Sequence, residues 1–83
     1  MKVVFTERAK KDWRRFDHST REQLRKKLYF YAKQNDLLAF AEKLRDGALG
    51  EYRFRVGDYR VVFDRADGAI FVLRVGHRKD IYR

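Results

Sequence analysis

Three arginines near the middle of the chain are the residues best suited to chemistry. Arg53, Arg55 and Arg60 belong to the segment 52–63, in which apolar and polar residues alternate on both sides of Gly57 and Asp58. A guanidinium group presents a planar fork of N–H donors that matches the oxygens of a phosphate or a carboxylate. Several such groups on one surface would therefore bind an anion.

The alternation predicts an antiparallel hairpin whose two-residue turn is Gly57-Asp58. A two-residue turn fixes the register, so each residue has one partner on the opposite strand. The expected pairs are Val56 with Tyr59, Arg55 with Arg60, Phe54 with Val61, and Arg53 with Val62. One face of the hairpin is then apolar, and the other carries the three arginines.

Like charges placed directly opposite each other destabilise a sheet. We therefore expect an anion between Arg55 and Arg60. The alternative is a solvated face on which the arginines form ion pairs, because charged faces of sheets are usually exposed to water. The acidic candidates for such pairs are Asp58, Asp64 and Glu51.

The elements that position this hairpin can be predicted from capping residues and apolar spacing. Lys2 to Phe5 is expected to form a first strand, and Thr6 to cap a helix with the apolar stripe Ala9, Trp13 and Phe16. The run Ser19-Thr20-Arg21-Glu22 resembles a capping box and predicts the start of a second helix, with the stripe Leu24, Leu28 and Tyr31. The two helices, joined near Asp17-His18, form a helical hairpin laid over the sheet.

The remaining elements complete an α+β domain. Asn35 to Leu44 fits a short third helix that ends at Asp46-Gly47. Asp67-Gly68 predicts a turn into the strand Ala69 to Val75, which is apolar on both faces and therefore expected in the interior of the sheet. Arg74 interrupts this strand and must reach an acidic partner or the surface. We expect a single domain over residues 1–83, with helices on one face of a mostly antiparallel sheet.

Composition limits the classes of partner and site. The chain has 83 residues, a formal net charge of +9 and a pI near 10.2, which indicates a polyanionic partner such as a nucleic acid, or an acidic protein. Residues 1–33 alone carry 11 Lys and Arg against 4 Asp and Glu. There is no cysteine, and His18 and His77 lack metal-ligand spacing, so neither a metal nor another cofactor is expected. No segment suits a signal peptide or a membrane span, so we expect a cytoplasmic protein without a membrane partner.

The segments Tyr52–Val56, Gly57–Phe63 and Val75–Tyr82 together resemble the RelE/ParE superfamily of toxins from type II toxin–antitoxin systems. The likeness covers nearly the whole chain. It implies a RelE-like fold, a cognate acidic antitoxin with which the toxin forms a hetero-oligomer, and no metal. It favours the RelE-like branch, whose members are endoribonucleases that cleave messenger RNA in the ribosomal A site and so inhibit translation.

The resemblance also implies roles for individual residues. Metal-independent cleavage uses the neighbouring 2′-OH as nucleophile, and it needs a base, cations around the phosphorus and an acid for the leaving oxygen. Tyr82 would be the base, Arg78 the acid or a phosphate-stabilising group, and Arg60 would hold the scissile phosphate. A phenol is a weak base at neutral pH unless nearby cations favour its phenolate. The residues that would contact RNA are Arg53, Arg55, His77, Lys79, Arg25 and Lys26.

Some assignments depart from the family pattern or stay open. Well-known members carry lysines where this chain has Arg53 and Arg55, and many continue into a helix beyond the position of Arg83. An imidazole titrates near neutral pH and a guanidinium does not, so we prefer His77 as the proton donor over Arg78. His77 as a turn residue and Tyr82 as part of a terminal strand are the structural alternatives. The functional alternatives are a ParE-like inhibitor of DNA gyrase without catalysis, and a remnant that binds RNA or antitoxin without toxicity.

Overall fold

The structure, a computed structural model, describes residues 1–82; Arg83 lies outside the described residues. Two helices follow a first strand, and four further strands come after a short 3-10 helix. In chain order the elements are β1 (Lys2–Phe5), α1 (Glu7–Arg14), α2 (His18–Ala32), the 3-10 helix (Leu37–Phe40), β2 (Ala41–Lys43), β3 (Tyr52–Val56), β4 (Tyr59–Ala66) and β5 (Ala69–His77).

The strands form one sheet in the order β1-β5-β4-β3-β2. β1 pairs with β5 in parallel, and the other three pairs are antiparallel. The helical hairpin covers one face of this sheet, so the predicted α+β class and helix-on-sheet arrangement are confirmed. No helix among residues 1–82 is long and apolar enough to cross a membrane.

The register of the central hairpin is the one that the alternation predicts. Arg55 lies opposite Arg60 and Arg53 opposite Val62. Gly57 has φ 58°, a conformation that glycine adopts at no steric cost and that two-residue hairpin turns require. At the second predicted turn Asp67 and Gly68 also have positive φ, as expected of a tight β4–β5 connection.

The core lies between the helices and the apolar face of the hairpin. Leu24, Leu28 and Tyr31 of α2 are buried against Phe54 and Phe63. The aromatic rings stack in a row, with centroids 4.5 Å apart for Tyr31 and Phe54 and 4.3 Å apart for Phe54 and Phe63. This burial fixes which face of β3 is turned inward, and alternation along the strand turns its arginines to the other face.

The two helix starts differ in how well the sequence predicts them. Thr6 is the N-cap of α1, and its hydroxyl accepts a hydrogen bond from the amide of Ala9, as predicted. The predicted start of α2 at Ser19 is wrong, because Asp17 caps the helix and its carboxylate accepts from the Thr20 amide at 2.8 Å. Hydrogen bonds from Thr20, first from its side chain and then from its amide, hold the pKa of Asp17 below its ordinary value. Aspartate and serine both suit an N-cap, so residue type alone does not distinguish Asp17 from Ser19.

The prediction of a third helix from Asn35 to Leu44 is wrong. The chain forms one 3-10 turn, Leu37–Phe40, and then the strand Ala41–Lys43, which pairs with β3. Apolar residues spaced for a helix are present, but Leu37 alone is fully buried and the following backbone hydrogen-bonds to an open edge of the sheet. Tertiary pairing thus overrides local spacing.

β5 lies in the interior of the sheet, between β1 and β4, as predicted. The register shifts between Val62 and Phe63 of β4, which leaves Leu73 as an extra residue on β5. Near this bulge the carboxylate of Asp12 accepts hydrogen bonds from Arg74 Nε at 2.9 Å and from the amide of Val75 at 3.0 Å. Arg74 therefore reaches an acidic partner, one of the two outcomes that the sequence leaves open.

Candidate functional site on the arginine face

Arg53 lies on the sheet face that is turned away from the helices, on the strand next to the edge strand β2. Its Nη1 donates a hydrogen bond to the hydroxyl oxygen of Tyr82 at 2.7 Å, and the guanidinium carbon lies 5.7 Å from the centroid of the Tyr82 ring. Its Nη2 donates to Glu42 Oε2 at 3.2 Å. One guanidinium group thus joins three elements: β2, β3 and the segment that follows β5.

Glu42 is the counter-ion of two arginines. Its Oε1 forms an ion pair with Arg55 Nε, and its Oε2 accepts from Arg55 Nη2 at 3.4 Å as well as from Arg53. The hydrogen bond from Arg53, more than the charge of either arginine, holds the pKa of Glu42 below its ordinary value. The pKa of Arg53 is raised, first by its hydrogen bond to Tyr82 and then by the one to Glu42.

Tyr82 is positioned by a short turn that folds back over the sheet. The carbonyl of His77 accepts hydrogen bonds from the amides of Asp80 and Ile81, at 2.9 and 3.0 Å. Ile81 is only 3% exposed, and a Cβ added to Gly76 would lie 3.4 Å from the Ile81 Cβ. Ile81 therefore packs next to Gly76, and its burial anchors the segment that carries Tyr82.

Arg60 and Arg78 both reach the hairpin turn. Arg60 Nη1 donates to the carbonyls of Gly57 and Tyr59, at 3.0 and 2.9 Å, and the residue is 8% exposed. The Arg78 amide donates to the Asp58 carbonyl at 2.7 Å, and Arg78 Nε lies 3.8 Å from Asp58 Oδ1. The two arginines thus converge on one turn.

Arg55 and Arg60 lie opposite each other in the sheet, but their guanidinium groups turn to different partners. Arg55 turns toward Glu42 on β2, and Arg60 turns back to the carbonyls of the hairpin turn. The alternative that Asp58, Asp64 or Glu51 pairs with these arginines is wrong, because Arg53 and Arg55 pair with Glu42 and Asp58 lies beside Arg78. Asp64 and Glu51 accept hydrogen bonds from backbone amides instead.

His77 lies apart from Arg53 and Tyr82. It is directly opposite Tyr59, and the two rings are perpendicular with centroids 5.7 Å apart. The Tyr59 ring in turn contacts Phe16 next to the helices, so His77 lies on the helix side of the sheet. Its Nδ1 accepts from the amide of Lys79 at 3.1 Å, which gives the ring the turn-stabilising role that the sequence leaves open.

Arg25 and Lys26 belong to α2 and lie on the other side of the sheet from Arg53. Arg25 forms an ion pair with Glu22, and its guanidinium carbon is 5.8 Å from the centroid of the Trp13 ring. The structure therefore groups Arg53, Arg55 and Tyr82, places Arg60 and Arg78 at the neighbouring turn, and leaves Arg25, Lys26 and His77 outside this group. Within residues 1–82 no three His, Asp or Glu side chains are placed to hold a metal ion.

Glu42 is the site residue that sequence reasoning misses. A helix from Asn35 to Leu44 would not place Glu42 beside the arginines, whereas the strand Ala41–Lys43 pairs Glu42 directly with Arg53. The available signal was the unbalanced charge of the arginine face, which demands a carboxylate from some neighbouring strand. The turn residues Asp46-Gly47, which lie between β2 and β3, are compatible with a connection between two strands as well as with a helix end.

The family model described as the ParE toxin of a type II toxin–antitoxin system, parDE, matches residues 3–82. The chain belongs to the ParE toxin family, within the RelE/ParE superfamily. No match was found among curated protein sequences.

Solved structures of RelE toxins have the same fold. The isolated E. coli RelE toxin is 33% identical, with a TM-score of 0.73 over 98% of this chain and 89% of that one. The RelBE2 toxin–antitoxin complex of Mycobacterium tuberculosis contains a chain that is 25% identical, with a TM-score of 0.75 over 93% and 96%. A chain of the RelB–RelE complex of Methanococcus jannaschii is 28% identical, with a TM-score of 0.73 over 96% and 95%.

Proposed function

We propose that this toxin is a ribosome-dependent endoribonuclease that cleaves messenger RNA in the A site and so stops translation. The observation that carries the proposal is the hydrogen bond from Arg53 to the Tyr82 hydroxyl, on the same surface as Arg55. The hydroxyl oxygen is the acceptor in this bond, so the cation stabilises negative charge on it. A phenol held this way suits proton abstraction from a ribose.

The reaction begins when Tyr82 removes the proton of a ribose 2′-OH. The 2′-oxygen then attacks the adjacent phosphorus, the bond from phosphorus to the 5′-oxygen breaks, and the products are a 2′,3′-cyclic phosphate and a 5′-OH. Arg53 and Arg55 stabilise the charge that develops on the phosphoryl oxygens. A proton from an acid neutralises the leaving oxygen.

The proposed roles of the other candidates follow their surroundings. Arg78 is half exposed beside the hairpin turn, from which it can contact the scissile phosphate. Arg60 supports the turn through two carbonyls that both accept from Nη1, so Nη2 or Nε would be the donor to a phosphate. His77 lies on the helix side of the sheet, apart from Arg53 and Tyr82, so it would have to move to donate a proton from its other nitrogen, Nε2.

The proposed partners are anionic, in keeping with a net charge of +9. The first is the ribosome with its messenger RNA and ribosomal RNA, and Arg25, Lys26 and Lys79 would contact this RNA. The second is a cognate acidic antitoxin that forms a hetero-oligomer with the toxin. Similar RelE structures include complexes with an antitoxin, which supports the second partner. Both partners require a cytoplasmic toxin.

We expect Tyr82→Phe and Arg53→Ala each to reduce cleavage about 100-fold or more, because they remove the base or the cation that stabilises it. Toe-printing on ribosomes programmed with a defined messenger measures the cut. Arg65→Ala is the matched control, since it removes the same charge from an exposed position near the other end of the sheet. Undiminished cleavage by both site variants would refute the assignment.

A ParE-like inhibitor of DNA gyrase is the second candidate function. The matching family model is that of ParE toxins, and Arg60 is buried with its guanidinium group engaged by backbone carbonyls. A supercoiling assay run beside an in vitro translation assay separates the two functions. Loss of supercoiling with normal translation would replace the nuclease by the gyrase inhibitor.

A further inference from the structure

We propose that Glu42 is a specificity-determining residue that competes with substrate phosphate for Arg53 and Arg55. The inference rests on the proposed function, because the competing ligand is an RNA phosphodiester. In the free toxin the carboxylate takes the place of an anion between the two arginines. Any RNA must displace this carboxylate to reach the two arginines. RNA that binds weakly cannot do so, whereas RNA held by additional contacts can.

The geometry of the three side chains supports competition. Each carboxylate oxygen of Glu42 contacts a guanidinium nitrogen, Oε1 at Arg55 Nε and Oε2 at Arg53 Nη2 and Arg55 Nη2. Two non-bridging oxygens of a phosphodiester would use the same donors, because carboxylates and phosphates bind guanidinium forks in the same bidentate way. Both anions cannot occupy this position together.

The contact is also one that a ligand can replace. The Glu42 side chain is 44% exposed and belongs to β2, a strand of three residues at the edge of the sheet. Arg53 Nε is buried and has no hydrogen-bond partner among residues 1–82. Glu42 therefore leaves one donor of Arg53 unused, and a small shift of the guanidinium group toward a bound phosphate would give that donor a partner.

The consequence is discrimination between free and presented RNA. A net charge of +9 attracts any polyanion, including RNA that is not a substrate. Selective action therefore requires that the site bind such RNA weakly. An internal carboxylate weakens every single-phosphate contact at the site by the same amount. Only an RNA whose position is fixed by further contacts, such as messenger RNA on the ribosome, then has enough binding free energy to displace the Glu42 carboxylate.

The test measures binding of a short single-stranded RNA with 2′-O-methyl groups, which cannot be cleaved by 2′-OH attack. Fluorescence anisotropy at constant ionic strength gives Kd for wild type, Glu42→Gln and Glu7→Gln. Glu7 is the matched control, because it is an exposed glutamate on α1 and its replacement adds the same charge away from the site. We expect Glu42→Gln to bind about threefold to tenfold more tightly than Glu7→Gln.

Equal affinity of the two variants would overturn the inference, and so would weaker binding by Glu42→Gln, which would mean that Glu42 orders the arginines for RNA. Thermal melting of both variants verifies that each is folded, and Glu42→Ala repeats the comparison without an amide in the site. The binding assay involves no cleavage. Failure of the nuclease proposal would appear as a wild-type toxin that does not cut messenger, whatever the three affinities are.

Discussion

Arg60 and Arg78 illustrate how differently two arginines can be used at one turn. The guanidinium group of Arg60 is nearly enclosed and donates to two carbonyls, whereas more than half of the Arg78 side chain is exposed. In the free toxin Arg60 is therefore part of the structure that keeps the hairpin turn in place. Arg78 is the one of the two that solvent or a phosphate can reach.

We expect Arg60→Ala to lower the free energy of unfolding by about 1 to 3 kcal/mol, because it removes a nearly enclosed charged donor that bonds to two carbonyls of the turn. Arg78→Ala, at an exposed position, should change it by less than about 0.5 kcal/mol. Urea denaturation followed by circular dichroism measures both. An Arg60→Ala protein as stable as wild type would show that this guanidinium group is not needed for the turn and is free for substrate.

The sequence predicts part of the site for identifiable reasons. Strand alternation and a two-residue turn leave one register, so Arg53 and Arg55 could be assigned to one face without a structure. Where each guanidinium group points could not be predicted, because long side chains follow local partners. Arg55 depends on Glu42 from a strand that was not predicted, and Arg60 depends on carbonyls of its own turn.

At the scale of elements, the segment after β5 determines whether Tyr82 is present at the site. Two amides of this segment bond to the carbonyl of His77, and Ile81 packs into the space beside Gly76. The spacing of Gly76, Ile81 and Tyr82 thus has a physical reason. Ile81 packs beside the glycine, and this places the next residue over Arg53.

We expect Ile81→Ala to release this segment, because it removes most of a side chain that is 3% exposed. Hydrogen exchange at the amides of Asp80 and Ile81 should become at least about tenfold faster, and messenger cleavage should fall with it. Leu49→Ala is the matched control, since Leu49 is an apolar residue that is 40% exposed. Unchanged exchange would mean that the two hydrogen bonds hold the segment without its anchor.

The elements that the sequence predicts correctly are those with a strong local signal. Strands β3, β4 and β5 have alternation or a continuous apolar run bounded by turns, and both long helices have caps and stripes. β2 has three residues, too few for alternation to be visible. It forms because its backbone pairs with the free edge of β3. The bulge at Leu73 likewise arises from pairing between strands, which no single segment encodes.

For the whole molecule, charge is the dominant property. The formal net charge is +9, and few of the cations are neutralised by ion pairs within residues 1–82. The electrostatic field of this charge accelerates encounters with acidic partners, and added salt shortens the distance over which the field acts. Contacts made after the encounter depend much less on ionic strength.

We expect the association rate with an acidic antitoxin to fall at least about tenfold between roughly 0.05 and 0.5 M NaCl, and the dissociation rate to change much less. Stopped-flow fluorescence provides the first rate, and displacement by unlabelled antitoxin the second. An association rate independent of salt would show that the field of the toxin does not steer the encounter.

The hydrogen bond between Arg53 and Tyr82 joins residues 29 positions apart, with β4 and β5 between them in the chain. During translation Tyr82 is therefore added only after every strand of the sheet has been synthesised. A nascent chain that has reached β5 already carries its arginines but lacks the phenol. The contact between Arg53 and Tyr82 is therefore among the last that the growing chain can form.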